Sequence, residues 1–133
     1  MSDCLFCKIA SGEIPSRKVY EDENVLAFLD IHPCSKGHTV VISKSHFSDL
    51  SEMSAEDWEK MSNGLAMTFA IIRDVLRPDG MNMGLNDRKA AGQAISHVHW
   101  HIIPRWNGDG GGSMHSIIRA GAGVDVEDVA KLF

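Results

Sequence analysis

Residues 97–104 have the sequence HVHWHIIP. Successive side chains of a β-strand point to opposite faces of the sheet, and residues two apart lie about 6–7 Å from each other. In extended form His97, His99 and His101 would therefore share one face, while the apolar residues between them would pack on the other. Imidazole acts near neutral pH as a base, nucleophile, acid or metal ligand. The segment predicts a half-buried strand that carries chemistry on one face.

Three interpretations of this histidine pattern are open. A strand could carry histidine on its polar face without function, but three in register make this the weakest interpretation. Neutral imidazole is a common metal ligand, and a catalytic zinc often has three protein ligands. Alternatively, one imidazole attacks an electrophile while its neighbours bind the charge. The spacing alone does not separate the last two.

Composition favours one ordinary globular domain. The chain has 133 residues, of which 44% are hydrophobic and 23% charged, and such a length is enough to bury a core. A net charge of −5 and the lack of a long basic run argue against a nucleic-acid or membrane surface. No secretory signal or spanning apolar run is visible. We expect a single cytoplasmic domain over residues 1–133, with 107–133 as a C-terminal loop and tail.

The pattern of residues predicts an α+β fold. A short helix is expected at 4–10, and strands at 17–21, 25–30, 38–43, 81–86 and 97–103. Because short strands in hairpin order surround one long helix, we expect an antiparallel sheet of about five strands. The glycine-rich stretch 106–113 is expected to be a mobile loop.

The long helix is predicted over residues 55–77. Ser54 followed by Asp57 is typical of a capping box, and Pro78 with Gly80 would end the helix. Its apolar residues recur at spacings of three and four, which gives one buried stripe. The stripe consists of Trp58, Met61, Leu65, Phe69, Ile72 and Leu76.

The three cysteines indicate free thiols or metal ligands more than a disulfide framework. Cys4 and Cys7 could be a redox pair, but no strand precedes them as a thioredoxin-like unit requires. They could instead be half of a structural zinc site, for which His46 and His97 are the favoured partners. Cys34 is expected to pack as a small apolar residue.

Two polar segments are candidate ligand contacts. The loop before the histidine strand contains Asn86, Gly92 and Gln93, which could bring amide and backbone N–H donors to an anion, or form an ordinary connection. Asp30 ends an apolar strand, where a carboxylate either begins a turn or accepts hydrogen bonds from ribose hydroxyls.

The chain resembles the histidine triad (HIT) superfamily in several segments that occur in the right order between about residues 4 and 106. Beside HVHWHII at 97–103, the matching segments are CLFCKI at 4–9, GEIP at 12–15, residues 25–30, GHT at 37–39, KSH at 44–46 and GQ at 92–93. The resemblance implies a HIT-like fold, related to the Hint and Fhit branches.

The resemblance also implies a function. Members of the family transfer a nucleotidyl group through a covalent nucleotidyl-histidine. By that resemblance His99 is the nucleophile at the α-phosphorus of a purine nucleoside phosphoramidate or dinucleoside polyphosphate, such as an AMP or GMP conjugate. His101 is then a phosphate contact, and the phosphoryl transfer needs positioning and donors more than a catalytic metal.

The remaining roles also follow from the resemblance. Asp30 would hold the ribose, and Asn86 and Gln93 would donate to the phosphates. The nucleotide pocket would include Phe6, Ile9, Ile14, Phe28, Ile31, Val40, Gly92 and Ile95. Cys4, Cys7, His46 and His97 match a structural zinc site away from the chemistry. His38 resembles a further histidine near the site, with no role assigned.

Other expectations remain. Ala94 stands where many family members have a Ser or Thr hydroxyl, and its absence argues against efficient phosphoramidate cleavage. Residues 104–109, PRWNGD, resemble the polyphosphate-cleaving branches, so the resemblance to the branches is mixed. A homodimer joined through the long helix and the following strand is expected. Two rival functions are a metalloenzyme with one zinc on His97, His99 and His101, and a nucleotide-binding or scaffold protein without turnover.

Overall fold

Five antiparallel strands form one sheet in the computed structural model, which describes residues 3–118 and 123–133. Their bounds are β1 (Lys18–Glu21), β2 (Val25–Leu29), β3 (Thr39–Ser43), β4 (Gly80–Gly84) and β5 (His99–Arg105). The order across the sheet is β1-β2-β3-β5-β4, so the histidine strand lies between β3 and the edge strand β4. The predicted α+β class and five-stranded antiparallel sheet are confirmed.

Three α-helices accompany the sheet in the described part of the chain: α1 (Leu5–Ala10), α2 (Ala55–Leu76) and α3 (Val126–Ala130). The Ser54 side chain accepts from the Asp57 N–H, and the Asp57 carboxylate accepts from the Ser54 N–H, which forms the predicted capping box. The helix ends with Arg77 in the left-handed region, φ 50°, just before Pro78. None of the described helices is long and apolar enough to cross a bilayer.

One face of the sheet packs against α2. Met61, Leu65 and Ile72 of the predicted stripe are buried there, and the Trp58 ring meets Trp100 edge-on at a centroid distance of 5.6 Å. From β5 and the residue before it, this core receives Val98, Trp100 and Ile102. The predicted apolar face of the histidine strand is therefore a core face.

The helix and the sheet approach each other closely at one point. A Cβ placed on Gly64 would lie 2.7 Å from the nearest Val25 side-chain atom. Such a distance is shorter than real carbon contacts, so only glycine allows α2 to approach β2 this closely.

The opposite face of the sheet carries a second apolar cluster and the histidines. Phe6 and Ile9 of α1 pack there against Leu26, Phe28, Val40 and Ile42. Directly paired residues of an antiparallel sheet share a face. Since His101 pairs with Val40 and His99 with Ile42, both imidazoles project toward this cluster.

The strand bounds agree with the prediction to within one residue, except in the last two strands, where they differ by two. β4 ends at Gly84 instead of Asn86, and β5 begins at His99 and continues through Pro104 to Arg105. Proline cannot donate a ladder hydrogen bond. At Pro104 the pairing is with β4 alone, because β3 reaches only as far as Ile102, so one side of the strand needs no donor.

The glycine-rich loop after β5 is anchored, although we expected it to be mobile. The Arg105 guanidinium donates to both carboxylate oxygens of Asp109 at 2.8 Å and to the Gly112 carbonyl at 2.6 Å. It also donates to Asn82 of β4 at 2.7 Å. Bidentate arginine–carboxylate pairs fix geometry, so Arg105 holds the loop against the sheet edge.

Candidate active site

The His99 ring is oriented by a backbone carbonyl. Its Nδ1 lies 2.7 Å from the His97 carbonyl oxygen, which can only accept a hydrogen bond. The neutral ring therefore carries its proton on Nδ1, and Nε2 keeps a free lone pair. Phe6 packs edge-on against the ring at a centroid distance of 4.9 Å. This arrangement presents a positioned nucleophilic nitrogen.

His101 is oriented by His38, a residue to which the sequence had assigned no role. The Cys34 N–H donates to His38 Nδ1 at 3.0 Å, so the His38 proton must be on Nε2. That Nε2 lies 2.9 Å from His101 Nδ1 and donates to it. His101 then carries its own proton on Nε2, so it can donate a hydrogen bond without being charged.

Burial keeps these imidazoles neutral. The pKa values of His38 and His99 are lowered from the usual value because burial disfavours the charged ring. The pKa of His101 falls to about 4, first through burial and then through the neighbouring His99 and His38 rings. The carboxylate of Asp30 acts in the opposite direction on all three. At neutral pH the three imidazoles are therefore uncharged donors and acceptors.

A cavity of about 530 Å³ lies in front of His99 and His101. It is large enough for a nucleotide-sized ligand. Its walls include predicted pocket residues from four parts of the chain: Phe6, Ile9, Ile14, Phe28, Ile31, Val40, Asn86, Gly92 and Ile95. Ala94 also lines it, together with Leu5, Pro15, Ser16, Arg17 and Leu29, which the sequence had not indicated.

Asp30 combines the two alternatives that its position had suggested. Its Oδ1 accepts the His32 N–H at 2.8 Å, which begins a turn. Its Oδ2 lies 3.6 Å from His38 Nε2, and the residue lines the cavity. The carboxylate can therefore hold the turn and still offer an oxygen to a ligand hydroxyl. Ile31 beside it also lines the cavity, although 78% of the residue is exposed.

Gln93 and Gly92 differ from the prediction. Both amide hydrogens of Gln93 are taken by the carbonyls of Ser48 and Ile95, at 2.8 and 2.9 Å, and its Oε1 accepts the Arg88 N–H. The Gly92 N–H donates to the Lys89 carbonyl. These donors hold the loop in shape and do not point to an anion. Asn86 is the amide that lines the cavity.

Cys4, Cys7, His46 and His97 form one cluster, as predicted. Their ligand atoms all lie within 4.8 Å of one another. The Cys4 and Cys7 sulfurs lie 3.4 and 3.5 Å from His97 Nδ1, and Cys7 lies 3.2 Å from His46 Nδ1. Tetrahedral zinc, with bonds of about 2.3 Å to sulfur and about 2.0 Å to nitrogen, separates such atoms by about 3.5 Å. The donor set fits zinc.

The His97 ring has the tautomer that such a metal site needs. Its Nε2 lies 2.7 Å from the Ser43 carbonyl and must donate to it, which leaves the Nδ1 lone pair facing the two cysteines. A partner on the second ring nitrogen commonly orients metal-binding histidines. The His97 carbonyl also holds His99, so this cluster adjoins the candidate nucleophile, whereas we expected it to lie away from the chemistry.

The three histidines of the strand do not converge on one point. His97 faces the cysteines, the Nδ1 of His99 faces a carbonyl, and the Nδ1 of His101 faces His38. No cluster of possible metal ligands in the described part of the chain contains all three. The geometry therefore does not support a zinc on three histidines.

A second group of possible ligands, Asp30, His38 and His101, also fits a metal poorly. Coordination through His38 Nε2 would move its proton to Nδ1, where it would oppose the Cys34 N–H.

The Cys34 thiol is exposed, contrary to our expectation that it would pack as an apolar residue. The part of Cys34 that contacts the site is its backbone N–H, which donates to His38. His38 could have been recognised by parity, since it shares a face with Val40 and Ile42.

The HIT domain family model matches residues 11–108 of the chain. An uncharacterized HIT-like protein of Methanocaldococcus jannaschii is 44% identical over 130 residues, which cover 96% of each protein. Adenylylsulfatase HINT3 of Arabidopsis thaliana is 40% identical over 104 residues, or 78% of this chain and 53% of the relative. The chain belongs to the HIT family, a superfamily of nucleotide-binding hydrolases, as the sequence resemblance implied.

Solved structures agree with this assignment. The crystal structure of a HIT family member from Bacillus subtilis has a TM-score of 0.85 at 41% identity, covering 98% of this chain and 92% of that one. A zinc-bound histidine triad family protein from Mycobacterium smegmatis has a TM-score of 0.77 at 43% identity, covering 82% and 79%. The HIT-like fold is thereby confirmed.

Proposed function

We propose that this protein is a nucleotide hydrolase or nucleotidyl transferase that uses His99 as a covalent catalyst. The substrate is a purine nucleoside phosphoramidate or a dinucleoside polyphosphate, cleaved at the α-phosphate. The observation that carries the proposal is the contact between His99 Nδ1 and the His97 carbonyl. It supplies a neutral imidazole whose Nε2 is available to attack without prior deprotonation.

In the first step His99 Nε2 forms a bond to the α-phosphorus. The bond from phosphorus to the leaving group breaks, and its electron pair stays with the leaving atom. For an amine leaving group, that nitrogen takes a proton from water. The positive charge that develops on the His99 ring is stabilised through its Nδ1–H by the His97 carbonyl.

In the second step a water attacks phosphorus and gives up one proton. When the leaving group is an amine, this proton is the one that the amine has taken, and when it is a polyphosphate, the proton passes to the solvent. The bond between phosphorus and Nε2 breaks, its electron pair returns to His99, and the nucleoside monophosphate leaves. One water is consumed overall. The His101 Nε2–H can donate to a phosphoryl oxygen in both steps, since His38 holds the other side of the ring.

The nucleotide lies in the cavity of about 530 Å³, with Phe6 and Phe28 against a purine base. The free oxygen of Asp30 accepts the ribose hydroxyls, and Asn86 donates to the phosphates. Adenylyl groups suit this site, and the name of the Arabidopsis relative specifies an adenylyl compound.

A structural zinc held by Cys4, Cys7, His46 and His97 is part of the proposal. Such an ion links α1 to the segments before and after the long helix and contributes folding free energy. The zinc-bound relative from M. smegmatis supports it. We also propose a cytoplasmic homodimer that joins through α2 and the edge strand β4, which analytical ultracentrifugation would test.

The test is to trap the covalent intermediate. The protein is incubated with an adenylyl substrate, quenched in base, where phosphoryl-histidine persists, and mapped by mass spectrometry. We expect an adenylyl adduct on His99. His99→Ala should lose it, while His115→Ala, which changes an exposed histidine of the tail, should keep it. Adduct on another residue contradicts the mechanism, and AMP binding by calorimetry without any turnover would support the binding-protein alternative.

A further inference from the structure

A second cavity, of about 380 Å³, lies beside the nucleotide cavity. The two cavities share Asn86 and His101, whereas His99 lines the nucleotide cavity alone. In an in-line displacement the leaving group departs on the side opposite the attacking atom. A phosphorus held at the shared wall and attacked by His99 would therefore release its leaving group toward the second cavity.

The second cavity has mostly apolar walls. Its apolar residues come from the edge strand β4, the segment after it, β5 and the C-terminal tail: Met83, Leu85, Ile103, Met114 and Ile117. Among the described residues that line it there is no lysine or arginine. A departing sulfate or polyphosphate would lose hydration here without gaining a cation, which is unfavourable. An apolar group would gain from burial.

Two of the polar side chains in these walls already have partners. His38 uses both ring nitrogens, toward Cys34 and His101. The Asn82 carbonyl accepts from Arg105, whose charge is paired with Asp109. These contacts leave the cavity without a free positive charge at its wall.

The tail forms this wall because Arg105 anchors it. The Gly112 carbonyl accepts from Arg105 immediately before the tail residues that line the cavity. Met114 then packs against β4, where a Cβ on Gly84 would lie 3.0 Å from its Cε. Arg105 is thus a positioning residue for the wall, and Met114 and Ile117 are in contact with whatever occupies the cavity.

We propose that the second cavity holds the leaving group and selects an uncharged, apolar one. This inference rests on the proposed function and narrows its substrate to nucleoside phosphoramidates with an apolar substituent on nitrogen. The amine departs into the cavity with the electron pair of the broken P–N bond and takes a proton from water. Dinucleoside polyphosphates, whose leaving group is anionic, are poor substrates.

The test uses adenosine 5′-(N-alkyl)phosphoramidates from N-methyl to N-hexyl, with the N-(5-carboxypentyl) compound as an anionic partner of the hexyl one. We expect kcat/KM to rise about threefold for each buried methylene. The value of kcat/KM for the carboxypentyl compound should be lower than that for the hexyl compound by about tenfold or more. Equal kcat/KM across the series would overturn the inference.

A matched pair of tail variants tests the wall itself. Ile117→Lys introduces a cation at a lining residue, whereas Ile118→Lys changes an exposed neighbour that does not line the cavity. Ile117→Lys should lower the hexyl-to-carboxypentyl ratio by about tenfold, and Ile118→Lys should leave it unchanged. Met114→Lys repeats the test at a second exposed residue that lines the cavity. Unchanged ratios in both lining variants would overturn the inference.

These experiments distinguish failure of the leaving-group cavity from failure of the proposed function. If an adenylyl adduct forms on His99 but chain length and the lining variants have no effect, the leaving-group cavity is wrong and the proposed function stands. If no compound of the series is cleaved and no adduct forms, the proposed function is wrong, and the inference fails with it.

Discussion

His38 Nε2 donates to His101 Nδ1 across 2.9 Å, and this one contact determines that His101 carries its own proton on Nε2. The contact joins the end of the segment before β3 to the middle of β5. His38 is itself held by the Cys34 N–H at 3.0 Å. A backbone amide thus sets the tautomers of two imidazoles in succession, without any charged group.

Substituting His38 should alter the pH profile as well as the rate. In His38→Gln the His101 ring loses its fixed donor and the neighbouring ring that lowers its pKa. We expect kcat to fall by about tenfold to hundredfold, and the acidic limb of the profile to move to higher pH. His115→Gln is the control, and a lower rate with an unshifted limb would contradict a positioning role.

The native enzyme should remain active well below the usual pKa of histidine. Burial and the neighbouring rings lower the pKa of His101 to about 4, so its neutral form persists in the folded protein while the unfolded chain already takes up a proton at about pH 6.5. We expect kcat to be level from pH 8 to about 5 and then to fall. Half-loss near pH 6.5 would contradict this.

The same shift predicts how stability varies with pH. A histidine whose folded pKa is lowered contributes no pH dependence above about pH 6.5, where both states are neutral. Between about pH 6.5 and 4 the unfolded state binds more protons, so this residue makes stability fall as the pH falls. Urea unfolding at several pH values, with zinc content measured in each sample, checks this direction.

Removal of one cysteine should affect both metal content and catalysis. Cys4→Ser is expected to lose zinc and to lower Tm by roughly 10 °C or more. Adduct formation on His99 should slow, because His97 belongs to the cluster and its carbonyl orients the nucleophile. Zinc analysis and thermal melting measure the first effects, and quenched mass spectrometry measures the last.

Two controls accompany the cysteine variant. Cys34→Ser changes an exposed thiol outside the cluster and should keep zinc. His99→Asn should keep zinc as well, although it cannot form the adduct. Stoichiometric zinc in Cys4→Ser would show that the cluster is not the metal site.

The close contact between α2 and β2 predicts that replacing a helical glycine by alanine lowers the stability of the protein. Gly64→Ala should destabilise the protein by about 1–3 kcal/mol, because its Cβ would lie 2.7 Å from Val25. Alanine otherwise favours a helix by about 1 kcal/mol over glycine. Ser62→Ala, at an exposed position of the same helix, should be neutral or stabilising. Urea unfolding of both variants checks the contrast.

Much of the fold follows from local patterns. The alternation around His99 predicts a strand with one core face, and the Ser54–Asp57 capping box fixes where α2 begins. The extension of β5 to Arg105 could not be predicted, because a proline usually ends a central strand. The position of Pro104 beyond the end of β3 makes it acceptable, and that depends on how far a different strand extends.

The sequence predicted which residues form the candidate site better than it predicted the contacts that they make. The cluster of Cys4, Cys7, His46 and His97 and most of the cavity in front of His99 contain the residues that the sequence indicated. The sequence could not show that the Gln93 amide is used within the loop, since its partners are backbone carbonyls. Nor could it show that Arg105 anchors the tail beside the site, because those partners lie on β4 and in the loop itself.

The apolar core between α2 and the sheet has a consequence for the register of β5. A slip of β5 by one residue would exchange its two faces, so that Trp100 would point toward the cavity in front of His99 and the imidazoles would lie beneath α2. The residues beneath that helix are apolar, among them Val25, Met61 and Leu65, so the polar rings would lose hydration there, which is unfavourable. The core beneath α2 therefore selects the register that keeps the histidines on the cavity side of the sheet.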